Sequence, residues 1–261
     1  MKENLAGIED YTRIGSLLQP EQIVKYGELT LRENQIAYAE PSFFRLFDFE
    51  LLKGDKKTCL SMPGQVVITE RIASKYFKDE DPIGKIFIFT GAYDKISCEV
   101  TGVMKEMPSN SHIHYSFLIS YKSLPKYMQE YWYKHGAYTY VLLDSPERKA
   151  EIEREFPVMA EKYKTDEALK NKTWGVSLIP LADIHLTPQV GYEAETKGNR
   201  SSMIALIFAA IAILAIAWIN YINLTVARSM ERAKEVGVRR VVGAFRKQLI
   251  HQFLFEALVM N

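Results

Sequence analysis

Two histidines, His112 and His114, form an H-x-H pair where a predicted loop enters a predicted strand. Residues two apart on a strand share a face, and two imidazoles on one face are a start towards a zinc site. Such a site needs a third or fourth ligand. None stands at a helpful spacing, and His135 and His185 are isolated. The pair is therefore expected to be polar residues on a strand edge, with no metal bound. Cys59 and Cys98 are the two cysteines. They can pair in an oxidising compartment, but two thiols at arbitrary spacing set no disulfide framework, and they are expected as small, half-buried thiols. Asp79, Glu80 and Asp81 form a run of carboxylates that reads as a solvated turn. No G-x-S-x-G, H-E-x-x-H, Walker A or G-x-G-x-x-G pattern occurs, so no catalytic constellation and no cofactor is expected. If the protein is part of an energy-using machine, another polypeptide handles the ATP.

The informative chemistry is that of a membrane. No charge occurs between Arg200 and Arg228, and Met203 to Ile219 is unbroken apolar sequence. As a helix, the stretch to Ala227 spans about 37 Å, enough to cross a bilayer. A buried helix of a soluble protein rarely stays uncharged for so long, and the position near the C-terminus excludes a signal peptide. Beyond Ala227 stand Arg228, Arg232, Lys234, Arg239, Arg240, Arg246 and Lys247 against Glu231, Glu235 and Glu256, a balance of +4 in a chain of +1 overall. The positive-inside rule places this basic segment in the cytoplasm and residues 1 to about 200 outside. Within the helix, Ala205 and Ala209 make a small-xxx-small pair suited to close helix packing. Asn220 and Asn223, three apart, face the same way near its cytoplasmic end, towards another helix or the headgroups.

About 200 residues are left for the outer part, enough for one large domain or two small ones. Aromatic and charged residues are mixed throughout it, without repeats, and the near-neutral charge carries no nucleic-acid signature. Strands are expected at 8–14, 22–31, 36–40, 66–68, 85–89, 98–104, 114–120, 139–143 and 174–180. A 43–47 helical turn precedes a Gly54-Asp55 turn, and Gly91–Asp94 is a hairpin turn. Thr69 is placed to cap a helix with Ile72, Ala73, Tyr76 and Phe77 on one face. Further helices are expected at 124–133 and 146–163, the second kinked or ended by Pro157. Short strands and helices alternate irregularly, which is an α+β pattern. The N-terminus has no apolar run, and Leu249 to Met260 rise in apolarity like the start of another membrane helix, so 246–261 is expected to be that start. The chain is expected to be a piece of a longer protein.

The run RSMERAKEVGVRRVVGAFRKQLIHQFLFEALV resembles the cytoplasmic loop of FtsX/MacB-type ABC transporter permeases, whose R-x-x-E-[IV]-G-[IV]-R-x-x-x-G-A pattern stands here as Arg232, Glu235, Val236, Gly237, Val238, Arg239, Gly243 and Ala244. VVITERIASKYFKDEDPIGKIF, CEVTGVMKEMPSNSHIHYSFLIS and AEPSFFRLFDFELLKGD are similar to the family's periplasmic core domain. The resemblance implies a two-lobed periplasmic domain over 1–200, with a β-α-β lobe and a small strand-rich lobe inserted at about 59–118. A transmembrane helix at 201–227 and an amphipathic coupling segment at 228–245 follow. It implies a non-catalytic subunit of the bacterial inner membrane that pairs with another permease and binds a separate or fused ABC ATPase. That subunit would transmit ATP-driven movement to the periplasm, to a substrate or partner protein there.

The physics of the coupling segment agrees. Arg228, Arg232, Glu235 and Arg239 fall along one helical face, Glu235 and Arg239 are spaced to pair, and Val236, Val238, Val241 and Val242 are apolar. A short helix of this kind, lying at the membrane surface and ended by Gly243, suits docking on a cytoplasmic partner. Anionic headgroups would also attract it. A membrane-anchored sensor with an extracytoplasmic ligand-binding domain shares the topology, but it should continue as a heptad-patterned coil rather than a Gly-punctuated basic segment.

Overall fold

The computed structural model describes residues 5–15, 21–91, 95–129, 136–164, 171–184, 200–243 and 245–259. They fall into two compact units, Met1–Lys197 and Gly198–Asn261. In the first, the strands are β1 (Ile8–Gly15), β2 (Glu21–Tyr26), β3 (Leu29–Asn34), β4 (Ile36–Ala39), β5 (Leu51–Lys53), β6 (Gln65–Thr69), β7 (Ile86–Thr90), β8 (Lys95–Met104), β9 (Phe117–Ser120) and β10 (Tyr138–Leu143). The helices are α1 (Phe43–Leu46), α2 (Glu70–Phe77), α3 (Lys126–Gln129) and α4 (Arg148–Glu161). The strands form one mixed sheet in the order β10-β1-β4-β9-β6-β8-β7-β2-β3, with β5 added on β8. The architecture is α+β, as expected.

One short join shapes this sheet. β3 is its edge, while β4 lies between β1 and β9, yet only Gln35 separates the two in sequence. Asn34 and Ile36 therefore lie within about 7 Å of one another. The run from β4 round to β3 has to curl until its ends meet. Gln35 takes a positive φ of 58° at this corner. Its carbonyl accepts the Ser116 N–H at 2.8 Å, and its side-chain oxygen accepts the Ser116 hydroxyl at 2.9 Å.

The concave side of the curl is filled by α2. Thr69 Oγ1 accepts the Ile72 N–H, capping the helix as expected. Ile72, Tyr76 and Phe77 join Val24, Ile36, Val66, Ile68, Phe87, Phe89 and Phe117 in one core. Rings meet edge to face there, Tyr76 on Phe87 at 4.9 Å and Phe89 on Phe117 at 5.5 Å. On the opposite sheet face a second core holds Ile14, Ala37, Ala39, Phe43, Val67, Met104 and Leu118. The run Val66-Val67-Ile68 serves both cores because alternate residues of a strand point to opposite faces. A third cluster seats α4, through Ile152, Phe156 and Met159, on Ile8, Val141 and Leu143.

Several elements differ from expectation. The strand at 22–31 is two strands, because Gly27 supplies a positive φ of 55° and turns the chain within two residues, Tyr26 pairing with Leu29. Pro157 lies inside α4 and does not end it, since Phe156, Met159 and Ala160 bury on both sides of it. Residues 174–180 have strand periodicity, with Trp174, Val176 and Leu178 against the third cluster. They join no ladder among the described residues, and the Leu178 N–H goes instead to Glu153 Oε1 at 2.6 Å. The strand expected from His114 begins only at Phe117, and the 124–133 helix is described as α3 alone, 130–133 lying outside the described residues. The Gly91–Asp94 turn is described at Gly91 alone. Residues 59–118, expected as an inserted lobe, supply β6, β7, β8 and the start of β9, which pair within this sheet with β2 and β4 from outside the stretch.

The free edge of the curl is tied to α2 by a buried carboxylate. Glu33, 6% exposed, accepts Lys75 Nζ at 2.6 Å and the Tyr76 hydroxyl at 2.8 Å. Burial first, then Glu33, pushes the Tyr76 phenol above its ordinary range, so it remains a donor. Replacing Glu33 with Ala leaves that buried hydroxyl unpaired and is expected to cost about 1–3 kcal/mol. Urea denaturation should show a lower midpoint with an unchanged slope; an unchanged midpoint would mean that the edge is held by packing alone.

Candidate coupling tip at the end of the membrane helix

The second unit is two helices joined by a tight turn. α5 (Arg200–Val241) is 42 residues long and α6 (Arg246–Val259) is 14. Ser201–Ser229 is long and apolar enough to cross a membrane, and none of its most apolar stretch is buried within the unit. Leu206, Phe208, Ile213 and Trp218 are all exposed. Water would not tolerate so large an apolar surface, whereas lipid or other helices would cover it. Ala205, Ala209, Asn220 and Asn223 lie on the same open helix, exposed to whatever packs there.

The segment predicted as a separate helix on the membrane surface is helical, but α5 runs into it without a break. No proline interrupts 227–241, and the lone Gly237 costs only about 1 kcal/mol, so helical hydrogen bonding propagates through. From Ser229 to Val241 it extends about 18 Å further. The helix stops where expected: Gly243 has a φ of +99°, and its N–H returns to the Arg240 carbonyl at 3.1 Å. Gln248 Oε1 accepts the Phe245 N–H at 3.2 Å, a capping-box contact that starts α6. Leu249 is buried, and Arg239 NH1 donates to Gln252 Oε1 at 3.0 Å, a contact that joins the two helices beside the turn.

The turn thus presents an apolar tip. Val241 is 89% exposed and Phe245 75%, with Val238 and Val242 beside them, and Arg240, Arg246 and Lys247 form an exposed basic collar. Of the motif residues, Val236 is half-buried and Gly237 open: a Cβ there would meet nothing within 4 Å. Arg239 does not simply face outward as the charged stripe implied, because its guanidinium engages α6. Arg232 and Glu235 belong to α5 by their backbone, while their side chains, the expected Glu235–Arg239 pair and Ala244 lie outside the described residues. Phe245, Gln248 and Gln252 were not singled out from sequence. The three-residue spacing of Phe245 and Gln248 ahead of an apolar run was the available signal.

The other candidates are engaged elsewhere. His112 Nε2 lies 3.0 Å from the Tyr140 hydroxyl, and His114 Nε2 lies 3.1 Å from the Pro108 carbonyl. Among the described residues no three His, Cys, Asp or Glu side chains gather as a metal site; His135 and His185 lie outside them. Asp81 and Glu80 pair with Lys53 and Lys85 at the surface. Cys59 and Cys98 are free thiols, both fully buried rather than half-buried, one in each main core.

Two family descriptions match the chain: the MacB-like periplasmic core domain over residues 1–157, and the FtsX-like permease C-terminal region over 207–260. The chain belongs to the FtsX/MacB-like ABC permease family. Within it, the chain is 24% identical over 229 residues to the macrolide export ATP-binding/permease protein MacB of Vibrio parahaemolyticus, covering 84% of this chain and 31% of that one. It is 27% identical over 199 residues to the MacB of Rhodopseudomonas palustris, covering 75% and 27%. It thus spans about a third of the length of these relatives. A Porphyromonas gingivalis domain assigned to a permease protein has a similar fold, with a TM-score of 0.54 and 21% identity over 70% of this chain and 84% of that one. The FtsX-like match contains the tip, and the periplasmic-domain match contains the whole curled sheet.

Burial pushes the Cys59 thiol up from 9.0 to about 11 and the Cys98 thiol to about 12. Each folded thiol holds its proton more tightly than an unfolded one. Their contribution to stability is intact below about pH 9 and is lost as pH rises towards the folded values. A thiol reagent at pH 8 is therefore expected to label neither cysteine in the folded protein and both after denaturation. Rapid labelling of the folded protein would contradict the packing described.

Proposed function

We propose that this chain acts as the membrane permease part of an ABC-type transport or mechanotransmission complex, coupling ATP hydrolysis to movement of a periplasmic domain. The observation that carries this reading is the tip. An exposed apolar turn with a basic collar ends a membrane-crossing helix, inside the segment that matches FtsX-like permeases. In water, Val241, Val242 and Phe245 would bury on any complementary groove, and Arg240, Arg246 and Lys247 favour a groove with an acidic rim. Gly237 leaves the helix backbone open to close approach. The partner is an ABC ATPase. The names of the MacB relatives join ATP-binding and permease in one protein, whereas these 261 residues contain no Walker A pattern. The charge balance of +4 beyond Ala227 supports a reading with the tip in the cytoplasm and the sheet domain in the periplasm of a bacterial inner membrane. There the domain meets its substrate or partner protein. The open apolar faces around Ala205 and Ala209, and around Asn220 and Asn223, then serve contact with lipid, other membrane helices and a second permease.

The test substitutes Val241 with Asp in the full-length protein in its native membrane and measures how much ATP-binding-cassette protein or domain remains bound to the tip. A buried charge at the centre of the contact is expected to weaken it roughly tenfold or more. Undiminished binding, with the variant inserted normally, would remove the tip from the coupling contact.

A further inference from the structure

The turn that carries the tip is more elaborately built than a flexible loop between two membrane helices needs to be. Three hydrogen bonds and one buried side chain mark it: the Gly243 N–H on the Arg240 carbonyl, the Phe245 N–H on Gln248 Oε1, Leu249 buried, and Arg239 NH1 on Gln252 Oε1 at 3.0 Å. The first two shape the turn itself. The last joins the helices to each other. Arg239 lies two residues before the end of α5, and Gln252 six residues into α6. Measured along its own helix, Gln252 lies about 6 Å further from the turn than Arg239, a gap that a long guanidinium side chain spans. The neighbouring cations Arg240, Arg246 and Lys247 are exposed, while Arg239 is half-buried.

We infer that Arg239 is a positioning residue. It clamps α5 to α6 through Gln252, so that the tip and both helices move as one body. This rests on the reading of the tip as the ATPase contact, and it assigns Arg239 a role different from docking. Without the clamp the tip would still be apolar, but a push on it would be absorbed by splaying at the turn rather than passed to both helices. A pair with donor and acceptor exchanged should remake the same bond.

The experiment uses the full-length protein in lipid nanodiscs with its ATPase. Spin labels at Ser229→Cys and Phe255→Cys report the separation of α5 and α6; the buried native thiols do not compete. Arg239→Gln is expected to broaden the distance distribution and lower ATP-dependent turnover several-fold. Adding Gln252→Arg to that variant should restore a narrow distribution and most of the turnover. An unchanged distribution in Arg239→Gln would overturn the clamp, whatever happens to turnover. So would a double variant that stays as broad as the single one. Tip variants such as Val241→Asp separate the two readings: loss of the ATPase contact with a narrow distribution leaves the clamp standing, and retention of the ATPase in Val241→Asp sinks the docking reading without touching the distance result.

Discussion

An uninterrupted helical backbone in an apolar medium is the constraint on which the second unit depends. Inside a bilayer every N–H and C=O must be satisfied within the segment, and α5 meets that requirement along its whole apolar length. The same hydrogen bonding does not stop where the apolar side chains stop. Thr225 and Ser229 bond back to the Tyr221 and Val226 carbonyls, keeping their hydroxyls satisfied on the helix. Val226 to Val241 continue the rod until Gly243 reverses it. A tip carried on such a rod is held beyond the apolar stretch.

The outer unit obeys a different constraint. A curled sheet has an edge strand at the closing end, and an unpaired edge invites pairing with another chain. Here the edge is β3, continuous with β4 through Gln35 and fastened to α2 by Glu33. The aromatic core beneath supplies the apolar burial that makes this curvature stable. Across the sheet, Ser42 Oγ donates to the Tyr11 carbonyl and Arg45 pairs with Asp10, seating α1 over the second core.

Much of this was legible from residue patterns. β1, β4, β6, α2 and β10 follow from alternation, from the Thr69 cap and from helical spacing, all local signals. The membrane helix follows from length and absence of charge; its continuity with the basic segment was not read from sequence, because a lone Gly237 gives no clear signal either way and the helix runs through it. The curl was not legible. It depends on β3 being an edge strand and β4 an interior strand of the same sheet, a long-range fact that no window of sequence contains. The survival of α4 through Pro157 and the packing of the strand-like stretch at 174–180 on the third cluster are likewise decided by tertiary burial, which overrides local propensity. At the tip, the motif residues were identified from resemblance. The exposed Phe245 and the Arg239–Gln252 contact depend on the turn into α6, which spacing along α5 alone does not reveal.

The most direct test of the central claim is site-specific photo-crosslinking from Phe245 in the full-length protein in its native membrane, with the captured species identified by mass spectrometry. The account predicts crosslinks to an ATP-binding-cassette domain, in the same polypeptide or another, at the tip. Capture of lipid alone, or of a kinase-type signalling partner, would contradict it.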